Sequence, residues 1–156
     1  MEKEITTQDW NMVSEVELVY KSKVKPSERP QLKRVNDVYE FLKKHWDENH
    51  IELVEEFKVI LMNKNHRVLG IYHASAGGVS GTVADPKLIF TAALKMNANT
   101  LIISHNHPSG NLQPSEADKR LTQKIKEGAH LLDMQLLDHI IITAEGYYSF
   151  ADEGLL

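Results

Sequence analysis

The chain is 156 residues long, 42% hydrophobic and 26% charged, which suits one compact domain with its own core. It contains no cysteine, so disulfides, thiol nucleophiles and cysteine-held zinc are excluded. A net charge of −4 argues against a broad DNA-binding face, no apolar run nears the roughly 20 residues of a membrane span, and the polar start Met1-Glu-Lys-Glu-Ile5 is unlike a secretory signal, so the expected location is the cytoplasm.

Residues 1–12 read as a loosely held arm. Ser14 to Val24 alternates, with Val16, Leu18 and Tyr20 on one face, which predicts a strand that pairs within or between chains. Lys21 to Arg34 carries six basic residues (Lys21, Lys23, Lys25, Arg29, Lys33, Arg34) against Glu28. Pro26 and Pro30 break this stretch and no aromatic interleaves with its charges, so it reads as a solvated connector, with a nucleic-acid or anionic-partner patch as the alternative. Val38, Phe41, Leu42 and His45 or Trp46 then repeat at helical spacing, with Asn36 or Asp37 as the cap.

Glu56 to Met62 and Val68 to His73 bracket Asn63-Lys-Asn-His66 as a hairpin. Ala76-Gly-Gly-Val-Ser-Gly81 is a flexible loop, and Gly77, Gly78 and Gly81 either border a cleft that needs close backbone approach or are ordinary loop. Asp85 as N-cap and Pro86 at the first helical position open a helix with Leu88, Ile89, Ala92, Ala93 and Met96 on its apolar stripe. A strand Leu101–Ser104, a histidine-containing loop, a helix from Ser115 to about Leu132, and a hairpin of Leu137–Thr143 with Tyr147–Phe150 complete the chain. Strands and helices interspersed in this way predict a mixed α/β fold, a central sheet flanked by helices. The expected division is an arm, strand and connector over 1–35 and the main domain over 36–156, forming one globular unit with 13–35.

The chemistry gathers at His105-Asn-His107-Pro108. Residues two apart on an extended segment face the same way, so both imidazoles can converge on one ion, and Pro108 holds His107 extended. Asp118 follows eleven residues after His107. Ser115-Glu-Ala-Asp118 fits a capping box, so Asp118 either closes the helix start or faces inward as a ligand. Its phase with Leu121 and Ile125 favours the ligand, because an inward carboxylate needs a partner. Ser115 can cap the helix and also aim its hydroxyl into the site. Three protein ligands with an open fourth position describe a catalytic zinc. Two histidines and a carboxylate also form the facial triad of non-haem iron, which stays open as a rival.

Hydrolysis at such a centre needs a proton acceptor, and Glu52, Glu55 and Glu56 stand ahead of a strand as candidates. Alternation places Glu55 with Phe57, Val59 and Leu61, and Glu56 with Lys58, so Glu55 points with the apolar set. His139, after Asp138 in an apolar strand, reads as a hydrogen-bonded core histidine, with a supporting role behind the ligands as the alternative. His45, His50, His66, His73 and His130 show no partner pattern.

Glu55 ahead of a strand, His105-x-His107-Pro108 and Ser115-x-x-Asp118 together resemble the JAMM (MPN+) metalloprotease motif. His105-Asn-His-Pro-Ser-Gly110, Pro114-Ser-Glu-Ala-Asp118, Leu137-Asp-His139 and Tyr148-Ser-Phe150 resemble its bacterial RadC-like branch, over roughly residues 50–156. The resemblance implies an MPN (JAB-type) fold and a zinc ion held by His105, His107 and Asp118. It further implies Glu55 as general acid/base, Ser115 as oxyanion donor, and hydrolysis of a peptide or isopeptide bond in a peptide or protein substrate. Long members of that family carry an N-terminal helix-hairpin-helix region associated with DNA. The first 50 residues here show no Gly-containing hairpin between helices, which speaks against the family's DNA-repair label. The competing expectation is a DNA-associated factor that binds nucleic acid and keeps a non-proteolytic metal site.

Overall fold

A computed structural model describes Ser14, Glu17, residues 21–77 and residues 84–156. A single 3-10 turn, Pro26–Glu28, leads to α1 (Val35–Lys44). Strands β1 (Glu56–Met62) and β2 (Val68–Ala76) follow, then α2 (Pro86–Lys95), β3 (Thr100–Asn106), α3 (Glu116–Leu131), β4 (Gln135–Ile142) and β5 (Tyr147–Ser149). The strands form one mixed sheet in the order β2-β1-β3-β4-β5. Among the described strands only β3 and β4 run parallel, and α3 supplies the crossover that a parallel pair requires. The mixed α/β architecture expected from the sequence is the one observed.

Strand parity divides the core into two layers. Phe57, Val59 and Leu61 of β1 and Leu101 and Ile103 of β3 face Ile89, Ala93, Ile125 and Ala129 of α2 and α3. The alternate residues Ile60, Met62 and Ile102, with Ile140 and Ile142 of β4, pack against Val38, Leu42 and Trp46 at α1. Covered on both faces and paired on both edges, β3 is buried along its whole length, which explains its continuous apolar run.

Several boundaries move for physical reasons. The strand expected over Ser14–Val24 falls largely outside the described residues, and its last four, Lys21–Val24, are irregular. Most of the Ala76–Gly81 loop also lies outside the described residues. The N-cap of α1 is Arg34 rather than Asn36 or Asp37, because Asp37 reaches back from the first turn to accept from the Arg34 and Lys33 amides at 3.0 and 3.1 Å. Strand β3 runs on to Asn106, since both of its ladders continue past Ser104, so His105 is a strand residue and not a loop residue. Leu88, expected on the apolar stripe of α2, is 48% exposed beside Tyr72 and Met96. Asp85 does cap α2, accepting from the Lys87 amide at 2.9 Å.

The basic connector is held from within. Arg29 donates to Ser22 Oγ and the Val24 carbonyl, Arg34 lies 3.5 Å from Asp37, and residues 30–32 join the sheet through the Gln31–Arg67 bridge. No helix among the described residues is long and apolar enough to cross a membrane.

Helices α2 and α3 approach closely where Gly128 meets Phe90. A Cβ at position 128 would stand 2.6 Å from the Phe90 ring edge. Gly128→Ala gains about 1 kcal/mol of helix propensity but forces the ring to move, at about 1–3 kcal/mol. Urea unfolding is expected to show a net loss of about 1 kcal/mol that is recovered when Phe90→Leu is added. An unchanged or raised midpoint in the single variant would place the helices farther apart than described.

Candidate metal centre

The carboxyl ends of the parallel strands β3 and β4 and the N-terminus of α3 meet at one edge of the sheet. His105 is the second-last residue of β3 and faces the α3 side, its ring parallel to that of Phe57 on β1 at 6.0 Å between centroids. Beyond the strand, the His107 amide donates to the Ile142 carbonyl at 3.1 Å, which holds the loop to the end of β4. The chain then turns through Pro108 and Ser109 to Gly110, whose amide returns to the His107 carbonyl at 3.0 Å and whose φ of 82° needs glycine. This turn brings the Asn111 carbonyl to His107 Nδ1 at 2.5 Å. The carbonyl can only accept, so the proton sits on Nδ1 and the lone pair on Nε2.

That lone pair faces His105 Nε2 at 2.9 Å. Asp118 closes the group, with Oδ1 at 3.3 Å from His105 Nε2 and Oδ2 at 3.8 Å from His107 Nε2. Capping and inward orientation are both present in Asp118, divided between its two oxygens. Oδ2 accepts from the Ser115 amide at 2.7 Å, and Ser115 Oγ accepts from the Asp118 amide at 3.1 Å. Burial pushes the Asp118 carboxyl up and the Ser115 bonds pull it down; a protonated His105, through its hydrogen bond and charge, would take the group well below the usual carboxylate range. The carboxylate is therefore ionised at neutral pH, as a ligand must be.

These three side chains can hold a metal ion. A tetrahedral ion with bonds of roughly 2.0–2.1 Å sets its ligand atoms about 3.4 Å apart. The two ring nitrogens lie 2.9 Å apart and Asp118 Oδ1 lies 3.3 Å from His105 Nε2, near that value, with all three ligand atoms within 4.8 Å of one another, and two nitrogens plus a carboxylate suit zinc. The residues fit the group.

Two residues support the site, and one of them, Asn106, carried little signal in the sequence. Asn106, between the histidines and facing the opposite way, is fully buried. Its Nδ2 donates to the Ile51 and Val54 carbonyls, both at 2.8 Å, and its Oδ1 accepts from the Glu56 amide at 2.7 Å. One amide thus ties the acidic approach to β1 against the end of β3. A polar amide at a buried strand position was the available clue. His139 is the core histidine that the sequence suggested, stacked on Phe150 at 4.5 Å, and burial holds it neutral, far below the ordinary imidazole range. It also touches the site: Nε2 lies 2.8 Å from His105 Nδ1, and Nδ1 lies 2.6 Å from Thr122 Oγ1.

The structure separates the three acidic candidates. Glu56 turns to the α1 face, 3.4 Å from Lys58 Nζ and 3.5 Å from His50 Nδ1. Glu52 is exposed at the rim of an open cleft of about 490 Å³ that runs from His107 and Pro108 to Thr143 and Glu145. Glu55 precedes β1 on the parity of Phe57, and antiparallel pairing sets Phe57 opposite His105. Glu55 is half-buried, and its carbonyl accepts from the Gly77 amide at 2.8 Å. Ser115 is exposed at the start of α3.

A family model described as a RadC-like JAB domain matches residues 32–155. Among curated relatives, a UPF0758 protein of Flavobacterium johnsoniae is 48% identical over 101 residues, covering 65% of this chain and 44% of the relative. A UPF0758 protein of Porphyromonas gingivalis is 48% identical over 103 residues, 65% of this chain and 45% of its own length. The Escherichia coli UPF0758 protein YfjY is 38% identical over 102 residues, 65% of this chain and 64% of its own length. The chain spans about half the length of the first two relatives.

The two roles of Asp118 separate by mutation. Ser115→Ala and Asp118→Ala should each cost about 1 kcal/mol of metal-free stability through the lost cap. Added zinc at about 100 times its Kd should stabilise the wild type and Ser115→Ala by about 2.7 kcal/mol, and Asp118→Ala not at all. Thermal melts with and without zinc read both effects; a full zinc-induced rise in Asp118→Ala would reduce that carboxylate to a cap.

Proposed function

The chain belongs to the RadC-like JAB domain family, and from that premise we propose that it is a zinc-dependent hydrolase of the JAMM type that cleaves a peptide or isopeptide bond. The observation that carries this reading is the convergence of His105 Nε2, His107 Nε2 and the Asp118 carboxylate at one point beside an open cleft. Zinc bound there supplies Lewis acidity and brings the ionisation of water into the neutral range.

The remaining chemistry falls to the chain's own residues. Glu55, on the parity that faces the histidines, takes a proton from the attacking water at its carboxylate and returns it to the leaving nitrogen. Its carboxylate has no hydrogen-bond or ion-pair partner among the described residues, which leaves it available for that transfer. Ser115 Oγ uses a lone pair on the Asp118 amide, so its O–H is free to donate to the oxygen that becomes negative at the reacting carbonyl. The cleft between the Pro108–Gly110 turn and the Thr143–Gly146 turn receives the substrate chain next to His107. A DNA-binding role through Lys21–Arg34 has less support, because Arg29 and Arg34 are engaged within the chain and the net charge is −4.

Turnover on a peptide library tests the assignment. Glu55→Gln should lose about 10²–10⁴-fold in kcat with its zinc affinity unchanged. Ser115→Ala should lose about 10²–10³-fold in kcat with zinc retained. Undiminished turnover in Glu55→Gln would remove it from the mechanism, and stoichiometric iron with oxygen-dependent turnover would replace hydrolysis by oxidation.

A further inference from the structure

Behind His105 runs a chain of three short contacts whose direction can be worked out from one end. Thr122 Oγ1 lies 2.7 Å from the backbone carbonyl of Asp118 and 2.6 Å from His139 Nδ1. Two oxygens at that distance need a proton between them, and the carbonyl has none, so the threonine hydroxyl donates to it. With its only hydrogen committed, Thr122 Oγ1 must accept from His139, which places the proton of His139 on Nδ1 and leaves Nε2 as an acceptor. His105 Nδ1, 2.8 Å from that acceptor, is then the donor. Its own Nε2 carries a lone pair toward His107 Nε2 and Asp118.

We infer that Thr122 and His139 are positioning residues that fix His105 in the Nδ1–H tautomer, the form in which Nε2 can ligate a metal. The inference rests on the metal-binding reading of the His105, His107 and Asp118 group. The direction starts at the residue that also brings the third ligand, because the Asp118 carbonyl orients the chain while its carboxylate closes the site. His107 receives the same tautomer by a different route, through the Asn111 carbonyl. Both ligating nitrogens are therefore stripped of protons before any ion arrives, and the three inward atoms all carry lone pairs. Mutual repulsion among such atoms is relieved by a cation.

Thr122, His139 and His105 are each at most 2% exposed, so no water replaces a missing partner in this chain. Without the threonine oxygen, His139 Nδ1–H has nothing to donate to. The imidazole then favours the Nε2–H tautomer, turns donor toward His105 Nδ1 and drives the His105 proton onto Nε2, where it blocks ligation.

The test uses the full chain, with zinc as the probe and Thr122→Val as the nearly isosteric change. Long-range ¹⁵N–¹H spectra of the zinc-free protein at about pH 8.5, above the ordinary imidazole range, distinguish the two tautomers. Wild type should show Nδ1–H at both His105 and His139. Thr122→Val should shift both toward Nε2–H and weaken zinc binding about 10–100-fold by chelator competition. Thr122→Ser should restore both readouts. An Nε2–H signal at His105 in the wild type overturns the inference, as does a Thr122→Val protein with wild-type tautomers and zinc affinity. A wild type that binds no zinc overturns the metal-binding reading instead, and its spectra still decide the direction of the chain.

Discussion

The end of β3 has to serve both faces of the sheet at once, and the organisation of the site depends on how it does so. His105 faces α3, and the next residue, Asn106, faces α1. The first belongs to the candidate metal site, and the second spends both of its amide hydrogens and one oxygen lone pair on backbone groups of residues 51–56. An unmade hydrogen bond at such a buried amide costs about 1–3 kcal/mol, so the segment before β1 is held against the ligand strand with real force. The distance between the histidines and the acidic stretch before β1 is thus set by Asn106, a residue that has no chemistry of its own.

Parallel pairing completes the geometry. Because β3 and β4 run the same way, α3 must start at the edge where both strands end, and its first turn comes to rest over His105. A helix N-terminus has unpaired amides and favours negative charge, and Asp118 meets both demands there. The carboxylate that the helix needs for its own start is the same one that closes the donor set. Burying His105, His139 and Thr122 in this largely apolar layer would be costly if they were unpaired, but His105 Nδ1, both His139 nitrogens and Thr122 Oγ1 each have a hydrogen-bond partner within 2.8 Å. The neighbouring Asp138 follows the same rule: it is buried, which raises its carboxyl, and it accepts from Ser149, Ala151 and its own neighbour's amide.

The donor set was legible in the sequence because it rests on short-range rules. Period two in a strand places His105 with His107, Pro108 stiffens the turn, and the capping box with its helical phase locates Asp118. The same local rules found the cap of α2 and the β1–β2 hairpin. Interactions set by tertiary pairing were not legible. The strand carries His105 because β1 and β4 flank it, and sequence alone ended that strand two residues early. His139 read as a core histidine and is one, but its contact with His105 arises from the register of β4 against β3, which no local pattern encodes. Leu88 lies on the predicted stripe of α2 and stays half exposed because that helix covers the edge of the sheet rather than its centre.

Glu55 and Glu56 show how strand parity divides labour between identical side chains. Glu56 points to the α1 face, where Lys58 is buried beneath the Trp46 ring at 4.3 Å and donates to the His45 carbonyl at 2.8 Å. An ammonium removed from water needs an anion nearby, and Glu56 at 3.4 Å supplies it. Its backbone amide is also taken, by Asn106. Glu56 is therefore committed to structure by both its amide and its carboxylate, and that commitment fixes the backbone at the start of β1. Glu55, one residue earlier, adjoins that fixed backbone and by strand alternation shares the parity of Phe57, which pairs with His105. In the proposed reaction a proton carrier gains most from a rigid attachment and an uncommitted carboxylate, since its reach then answers to the substrate rather than to an internal ion pair. Exchanging the two environments would leave the composition of this stretch unchanged and remove the general base from the proposed reaction.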